Sequence, residues 1–270
     1  MKKLALTTLT LVSCIALSAC NVTTDDSMSN ARTSSYNEGG NTTTSSIFSN
    51  PFSDKTTNAR IETAAKQAVA DGNPEEALIF YERLYLKDAK LDNALNYAQV
   101  LRKTGNPSRA AMVLAPFIED IGLAETSSKK RKGKKGEYDP MLVLEYASAT
   151  LETGKFERAE SLLQTLLKEQ KAAPLYPQIR NLIGVSMDAR GQHKAAEPYY
   201  RDAMDTWEGR PITVMNNLAL NLAHQGYFDE ALSLLRQARV MSPQHTMIAE
   251  NIKIVSSLQS AVLPKPKSLN

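Results

Sequence analysis

Cysteine, histidine and aromatic residues are scarce in this chain, and their scarcity excludes several classes of protein. Two cysteines in 270 residues are too few for a disulfide scaffold or a cysteine-based zinc module. Nothing in the sequence brings the three histidines (His193, His224 and His245) together, so we expect no metal site. The motifs of serine hydrolases, zinc proteases and nucleotide-binding loops are absent. The sequence therefore predicts a non-enzymatic chain with no small-molecule substrate and no free cofactor.

An excess of charge of one sign is also lacking. The 32 Lys and Arg residues nearly balance the 29 Asp and Glu residues, and the formal net charge is only +3. This balance is too weak for a dedicated nucleic-acid binder, so we expect no nucleic-acid partner. Glycine and proline occur 12 times each, which are ordinary counts that exclude collagen-like and wholly disordered chains.

The first twenty residues have the pattern of a secretory signal. A basic start is followed by an apolar run, Leu4 to Ala16, that is shorter than a membrane-spanning helix. The next residues, Leu17-Ser18-Ala19-Cys20, resemble the bacterial lipobox, which implies cleavage after residue 19 and a covalent lipid on Cys20. Asn21 then implies an outer-membrane, periplasm-facing location, because many inner-membrane lipoproteins have Asp there. An ordinary signal peptide with a chance cysteine is the alternative.

Residues 20–57 predict a flexible tether between the lipid and a folded body. Serine, threonine, asparagine and glycine dominate this stretch, and such a composition cannot bury enough apolar surface to fold. Ile47, Phe48 and Phe52 form the exception. We favour docking of this apolar cluster on the body over binding of an external partner.

From residue 58 onward the sequence repeats a short pattern in which an alanine follows a glycine by five residues. The pairs are Gly72/Ala77, Gly105/Ala110, Gly154/Ala159, Gly191/Ala196 and Gly226/Ala231. Each glycine predicts a helix end in a left-handed conformation, and the polar residue after it predicts a cap for the next helix. Pro74 and Pro107 fit the first position of such helices. The alanines predict close helix crossings.

This helix–turn–helix period resembles the tetratricopeptide repeat, most clearly at 212–245, where Leu218, Ala219, Phe228 and Pro243 are in register. The resemblance implies an all-α superhelical solenoid of about five helix pairs over 58–263, of which 246–263 form a capping helix. Residues 264–270 are predicted to be a disordered tail. Such repeats bury a continuous core only by stacking on their neighbours.

An insertion over residues 125–139 lengthens the spacing between the second and third glycines to 49 residues. It contains six positive charges between Lys129 and Lys135. Like charges at this density stay solvated, which predicts an exposed loop. Contact with anionic lipid headgroups or with an acidic partner is the alternative function.

The first helix of each pair lines the groove of such a solenoid, and we expect the partner-binding side chains there. Asparagine amides could clamp the backbone of a bound peptide, since an amide both donates and accepts. Ordinary solvated positions are the equally weighted alternative. The candidates are Gln99, Arg102, Lys103, Asn181, Asp188, Asn216, Leu220, His224 and Glu250.

The combination of lipobox, tether and five repeats resembles the TadD family of the tight-adherence (Flp) pilus system. The last repeat, from Asn216 to Ala231, is most similar. The resemblance implies a pilotin-like role, in which the protein partner is an outer-membrane secretin and the membrane contact is the lipid anchor. A barrel-assembly lipoprotein subunit and a regulator of periplasmic cell-wall enzymes are the alternatives.

Overall fold

The computed structural model describes residues 54–124 and 138–262, and these two ranges form eleven α-helices and one short 3₁₀ helix without any strand. This confirms the predicted all-α architecture of five successive helix pairs and a last helix. The helices are α1 (Asp54–Ala70), α2 (Pro74–Lys87), α3 (Leu91–Lys103), α4 (Pro107–Asp120), α5 (Pro140–Glu152), α6 (Phe156–Leu166), α7 (Tyr176–Ala189), α8 (His193–Asp205), α9 (Ile212–His224), α10 (Phe228–Met241) and α11 (Thr246–Val262). The 3₁₀ helix, Gln170–Leu175, leads directly into α7.

The helices form two compact units that divide between Gly154 and Lys155. Helices α1 to α5 form the first unit, and each packs on the next. Its core includes Ile61, Phe80, Tyr97, Leu101, Leu114 and Leu142. Helices α6 to α11 form the second unit, again with each helix packed on the next. Its core includes Leu163, Ile179, Leu182, Tyr200, Leu218 and Leu235.

The repeated glycines end the first helix of each pair as predicted. Their φ angles are all positive: Gly72 73°, Gly105 77°, Gly154 81°, Gly191 73° and Gly226 89°. At Gly226 the amide of Tyr227 donates to the carbonyl of Leu222 at 2.9 Å, and the amide of Gly226 donates to Ala223 at 3.1 Å. This pair of bonds is the Schellman ending, which requires one left-handed residue and so favours glycine.

The predicted capping by asparagine after the glycine is wrong in its chemistry. Asn73 and Asn106 do precede α2 and α4, and proline follows each of them, but neither side chain bonds to its helix. The Asn106 amide instead donates to the carbonyl of Thr104 at 3.0 Å. Both residues have ψ angles well below the extended region from which a side chain usually reaches the helix amides. Asp139 is extended, and its carboxylate accepts from the amide of Met141 at 2.8 Å.

The alanines of the repeat pattern lie in the helix packing, as predicted. All five, listed with their glycines above, are fully buried. A second close approach occurs at Gly184, where an added Cβ would lie 2.7 Å from Cε1 of Tyr200. The buried Tyr200 ring therefore occupies the space that a side chain on α7 would need.

The ends of the repeat region differ slightly from the prediction. Helix α1 begins at Asp54, inside the last four residues of the predicted tether, and α11 ends at Val262, one residue early. Adding a residue to an existing helix is easier than nucleating one, so a helix can extend beyond its packed pattern. The signal segment, Cys20, the tether up to residue 53, Lys129–Lys135 and the tail lie outside the described residues. Within the described ranges, no helix has the length and apolar character needed to cross a membrane.

Candidate protein-binding surface

In the second unit the first helices α7 and α9 and the last helix α11 lie in a row, and buried asparagines connect them. Nδ2 of Asn217 on α9 donates to Oδ1 of Asn181 on α7 at 2.9 Å. Nδ2 of Asn251 on α11 donates to Oδ1 of Asn216 on α9 at 2.7 Å. We call these four residues the asparagine ladder. It links neighbouring repeats through neutral hydrogen bonds.

Two of the predicted groove residues, Asn181 and Asn216, therefore help to join neighbouring helices of the same chain. Asn181 is 0% exposed and Asn216 is nearly as buried. The oxygens of both amides accept hydrogen bonds from within the chain, so they are not available to a partner. The sequence contains the signal for this pairing, because Asn217 and Asn251 recur about one repeat after Asn181 and Asn216. Contact of these residues with a partner stays a prediction.

Two buried polar atoms on α7 have no hydrogen-bond partner within the described ranges. They are Nδ2 of Asn181 and Oε1 of Gln178. Residues three apart on a helix share a face, so Gln178 and Asn181 lie on the same side of α7. The bond from Asn217 assigns the orientation of the Asn181 amide. A buried unmet group costs about 1–3 kcal/mol, and both atoms are too buried for a bound chain to reach them without a rearrangement. Gln178 was not among the sequence-predicted residues.

Asp188, another predicted groove residue, connects three helices at the end of α7. Its Oδ2 accepts from the hydroxyl of Tyr200 at 2.9 Å, and its Oδ1 accepts from Nδ2 of Asn221 at 2.7 Å. Oδ1 also lies 2.9 Å from Nδ1 of His193. Asn221 donates in addition to the carbonyl of His193 at 2.8 Å. The Asp188 carboxylate thus holds α7, α8 and α9 together.

The expectation that nothing brings the histidines together is wrong. The rings of His193 and His224 stack with their centroids 4.6 Å apart and their planes 3° from parallel. The start of α8 and the end of α9 meet because these helices pack as neighbours. Partial burial lowers the pKa of His224, and the His193 ring lowers it further, whereas Asp188 opposes the shift. The described ranges contain no group of three or more metal-binding side chains.

The remaining predicted residues of the second unit lie at the surface. Leu220 on α9 is half-buried, while His224 and Glu250 are exposed. Each lies on a first helix or on α11, in the row that carries the asparagine ladder. A half-buried leucine beside polar side chains suits a site that takes one apolar side chain of a bound segment.

In the first unit the predicted residue Arg102 is part of a buried charge cluster. Its Nη1 lies 2.6 Å from Oε1 of Glu145, and its Nη2 lies 2.6 Å from Oε1 of Glu152. The side chain of Arg102 is only 7% exposed. Arg102 on α3 therefore bonds to α5, whereas its neighbours Gln99 and Lys103 are half-buried. Sequence spacing does not reveal this pairing, since 43 and 50 residues separate the partners.

The cluster contains two carboxylates for one guanidinium, and burial changes the pKa values of Glu152 and Arg102. Burial raises the pKa of Glu152 by more than Arg102 lowers it, so that pKa lies above its usual value. Burial acts to lower the pKa of Arg102. The two carboxylates together raise it by more, so the pKa lies above its usual value and the guanidinium stays charged. The cluster is thus a cross-link between α3 and α5 in which burial disfavours the charged form of Glu152.

Family models for the tetratricopeptide repeat match residues 145–211 and 212–242. A tetratricopeptide-repeat protein from Thermus thermophilus has a similar structure, with a TM-score of 0.58 at 16% identity over 74% of this chain and 99% of that one. Another, from Parabacteroides merdae, has a TM-score of 0.50 at 14% identity over 75% and 73%. No match is found among curated proteins.

These likenesses define the class of protein. Residues 145–242 contain tetratricopeptide repeats, and the described helices have the fold of such repeats. Repeats of this kind indicate a scaffold for protein–protein interaction.

Proposed function

We propose that the chain is a non-enzymatic, lipid-anchored scaffold of the outer membrane, and that its repeats bind a segment of a secretin during Flp pilus assembly. Cys20 carries the lipid in this proposal, and no other cofactor is needed. The observation that carries the binding role is the row of α7, α9 and α11, on which Leu220 is half-buried and His224 and Glu250 are exposed.

The surface of this row supports binding of a protein segment. Oε1 of Gln178 and Nδ2 of Asn181 are buried, so contacts to a partner would come from side chains at the surface. Leu220 and Glu250 would then select the side chains of the segment, because they offer one half-buried apolar group and one exposed acidic group.

The proposed anchor would act by raising the effective concentration of the scaffold near its partner. A lipid on Cys20 restricts the scaffold to the membrane in which secretins assemble, and a partner in that membrane meets it at a raised effective concentration. Cys20→Ser should leave an uncleaved or mislocalised precursor. Mass spectrometry of the mature chain is the check, and a free Cys20 thiol would contradict the anchor.

Site-specific photo-crosslinking tests the binding role. A benzophenone side chain at Leu220 should capture a secretin from cell envelopes, and one at Ser233 should not, because Ser233 is exposed on the second helix α10. Leu220→Glu should reduce capture and lower pilus counts while melting stays unchanged. The pilotin-like role would be contradicted if Leu220 captured a cell-wall hydrolase or a barrel-assembly subunit. Normal piliation without the protein would contradict it as well.

A further inference from the structure

Large apolar residues are exposed on the second helices of the first two repeats. Ile79 and Leu86 on α2 are 60% and 75% exposed, and Met112 on α4 is similarly exposed. Ile79 and Met112 occupy one repeat position, seven residues after the turn glycine. The same position in the next three repeats holds Ser161, Pro198 and Ser233, which are exposed too. An exposed apolar residue at this position is thus confined to the repeats nearest the amino terminus.

The exposed residues on α2 lie at different distances from its carboxyl-terminal end, with Leu86 in the last turn and Ile79 nearer the middle. Ile79 and Leu86 are seven residues apart, which places them on one face about 10 Å from each other. Helices α1 and α2 pack together across a tight turn, in which the amide of Asn73 donates to the carbonyl of Ala68 at 2.8 Å. Helices joined by so short a turn run antiparallel. The start of α1 at Asp54 therefore lies at the end of α2 that carries Leu86.

The sequence just before Asp54 contains the apolar cluster of Ile47, Phe48 and Phe52. Phe52 is two residues from Asp54, and Phe48 is six residues away. Six extended residues span about 20 Å, which exceeds the distance from Leu86 to Ile79. The segment is long enough to run along the exposed face of α2 from its carboxyl-terminal end.

We propose that residues 47–52 of the same chain dock on the exposed face of α2. Phe52 contacts Leu86, and Ile47 and Phe48 extend toward Ile79. Removal of these side chains from water drives the contact, since both surfaces are apolar and both lie within reach. The inference does not depend on the lipid anchor or on the bound partner.

Paramagnetic broadening tests this contact. A chain of residues 20–270 with Cys20→Ser contains no cysteine, so that Ser49→Cys takes a single nitroxide label. The label should broaden the methyl signals of Leu86 and Ile79 at least several-fold more than those of Val240. Val240 is the matched control, because it is 81% exposed and lies fourteen residues after its turn glycine, as Leu86 does.

A second variant and a mixing experiment make the test decisive. The triple variant Ile47→Ser, Phe48→Ser and Phe52→Ser should abolish the broadening while circular dichroism stays unchanged, since none of these residues lies in α1. Equal broadening at Leu86 and Val240, or none at either, would overturn the proposal. So would broadening that persists when the label and the observed methyl groups are on different molecules, because a second copy would then be the occupant.

Discussion

The two units connect their first helices by different chemistry. In the first unit, Arg102 on α3 bonds to two buried carboxylates on α5. In the second unit, α7, α9 and α11 are joined by the neutral asparagine ladder, while a carboxylate and two histidines gather where α7, α8 and α9 meet.

The difference teaches that neighbouring repeats can be linked by buried charges or by buried amides, and that the two kinds of link differ in what a mutation costs. A buried charge pair is costly to desolvate, and removal of one partner leaves an uncompensated charge. Removal of one member of a neutral amide pair leaves only an unsatisfied hydrogen-bonding group, which costs less. The units should therefore differ in mutational sensitivity and in pH dependence, and the following variants test that difference.

The largest effect is expected for Arg102→Met. It leaves Glu145 and Glu152 buried without a counter-charge, which costs about 3–5 kcal/mol of unfolding free energy. Urea unfolding followed by circular dichroism measures the loss. Lys66→Met is the control, because Lys66 forms an exposed pair with Glu62, and it should change stability by less than about 1 kcal/mol. Similar losses for both variants would contradict the role of the cluster.

A smaller loss is expected for Asn217→Leu in the second unit. Oδ1 of Asn181 then loses its donor in a fully buried site, at a cost of about 1–3 kcal/mol. The double variant Asn181→Leu and Asn217→Leu should cost less than the sum of the single variants, because no polar atom is left behind. Strict additivity in this double-mutant cycle would mean that the ladder bond contributes nothing.

Above neutral pH, Glu152→Gln should slightly raise the urea concentration at the midpoint of unfolding. The folded-state pKa of Glu152 lies above its usual value, so its contribution to stability is present at low pH and is lost as the pH rises through that pKa. Glutamine keeps an oxygen for Arg102 without the charge. Midpoints at pH 5 and pH 8 should converge in the variant. Glu62→Gln, at an exposed pair, is the control, and a destabilised Glu152→Gln at pH 8 would refute this reading.

The smallest effect is expected for His224→Phe, which should reduce acid sensitivity. The pKa of His224 is lowered in the folded state, so its contribution to stability is present above about pH 6.5 and is lost as the pH falls through the folded pKa. Phenylalanine keeps a ring on His193 without a titrating group. Trp207, the one tryptophan of the chain, reports on the second unit by fluorescence. His245→Phe is the control, because His245 lies between α10 and α11 and outside the stacked pair, and equal acid profiles for both variants would contradict the histidine pair.

Local chemistry explains why much of the fold was predictable. A glycine at a helix end and an alanine at a crossing are required by backbone geometry and by the lack of space, so both can be recognised in one repeat and checked in the next. Gly226 and Ala231 behave as their pattern predicts, with a positive φ and full burial. Asn106 shows the limit, because its side-chain partner depends on local φ and ψ angles that residue type does not specify.

The sequence by itself determined the repeat period, the helix turns and the buried alanines, because these depend on residues within one or two helices. Only the tertiary structure decided what the polar residues of the first helices do. Arg102 meets Glu145, Asn181 meets Asn217, and His193 meets His224 across 31 to 43 residues of sequence. A polar side chain on a helix face suits solvent, a partner or a neighbouring repeat equally well, and only the packing of that neighbour selects among them.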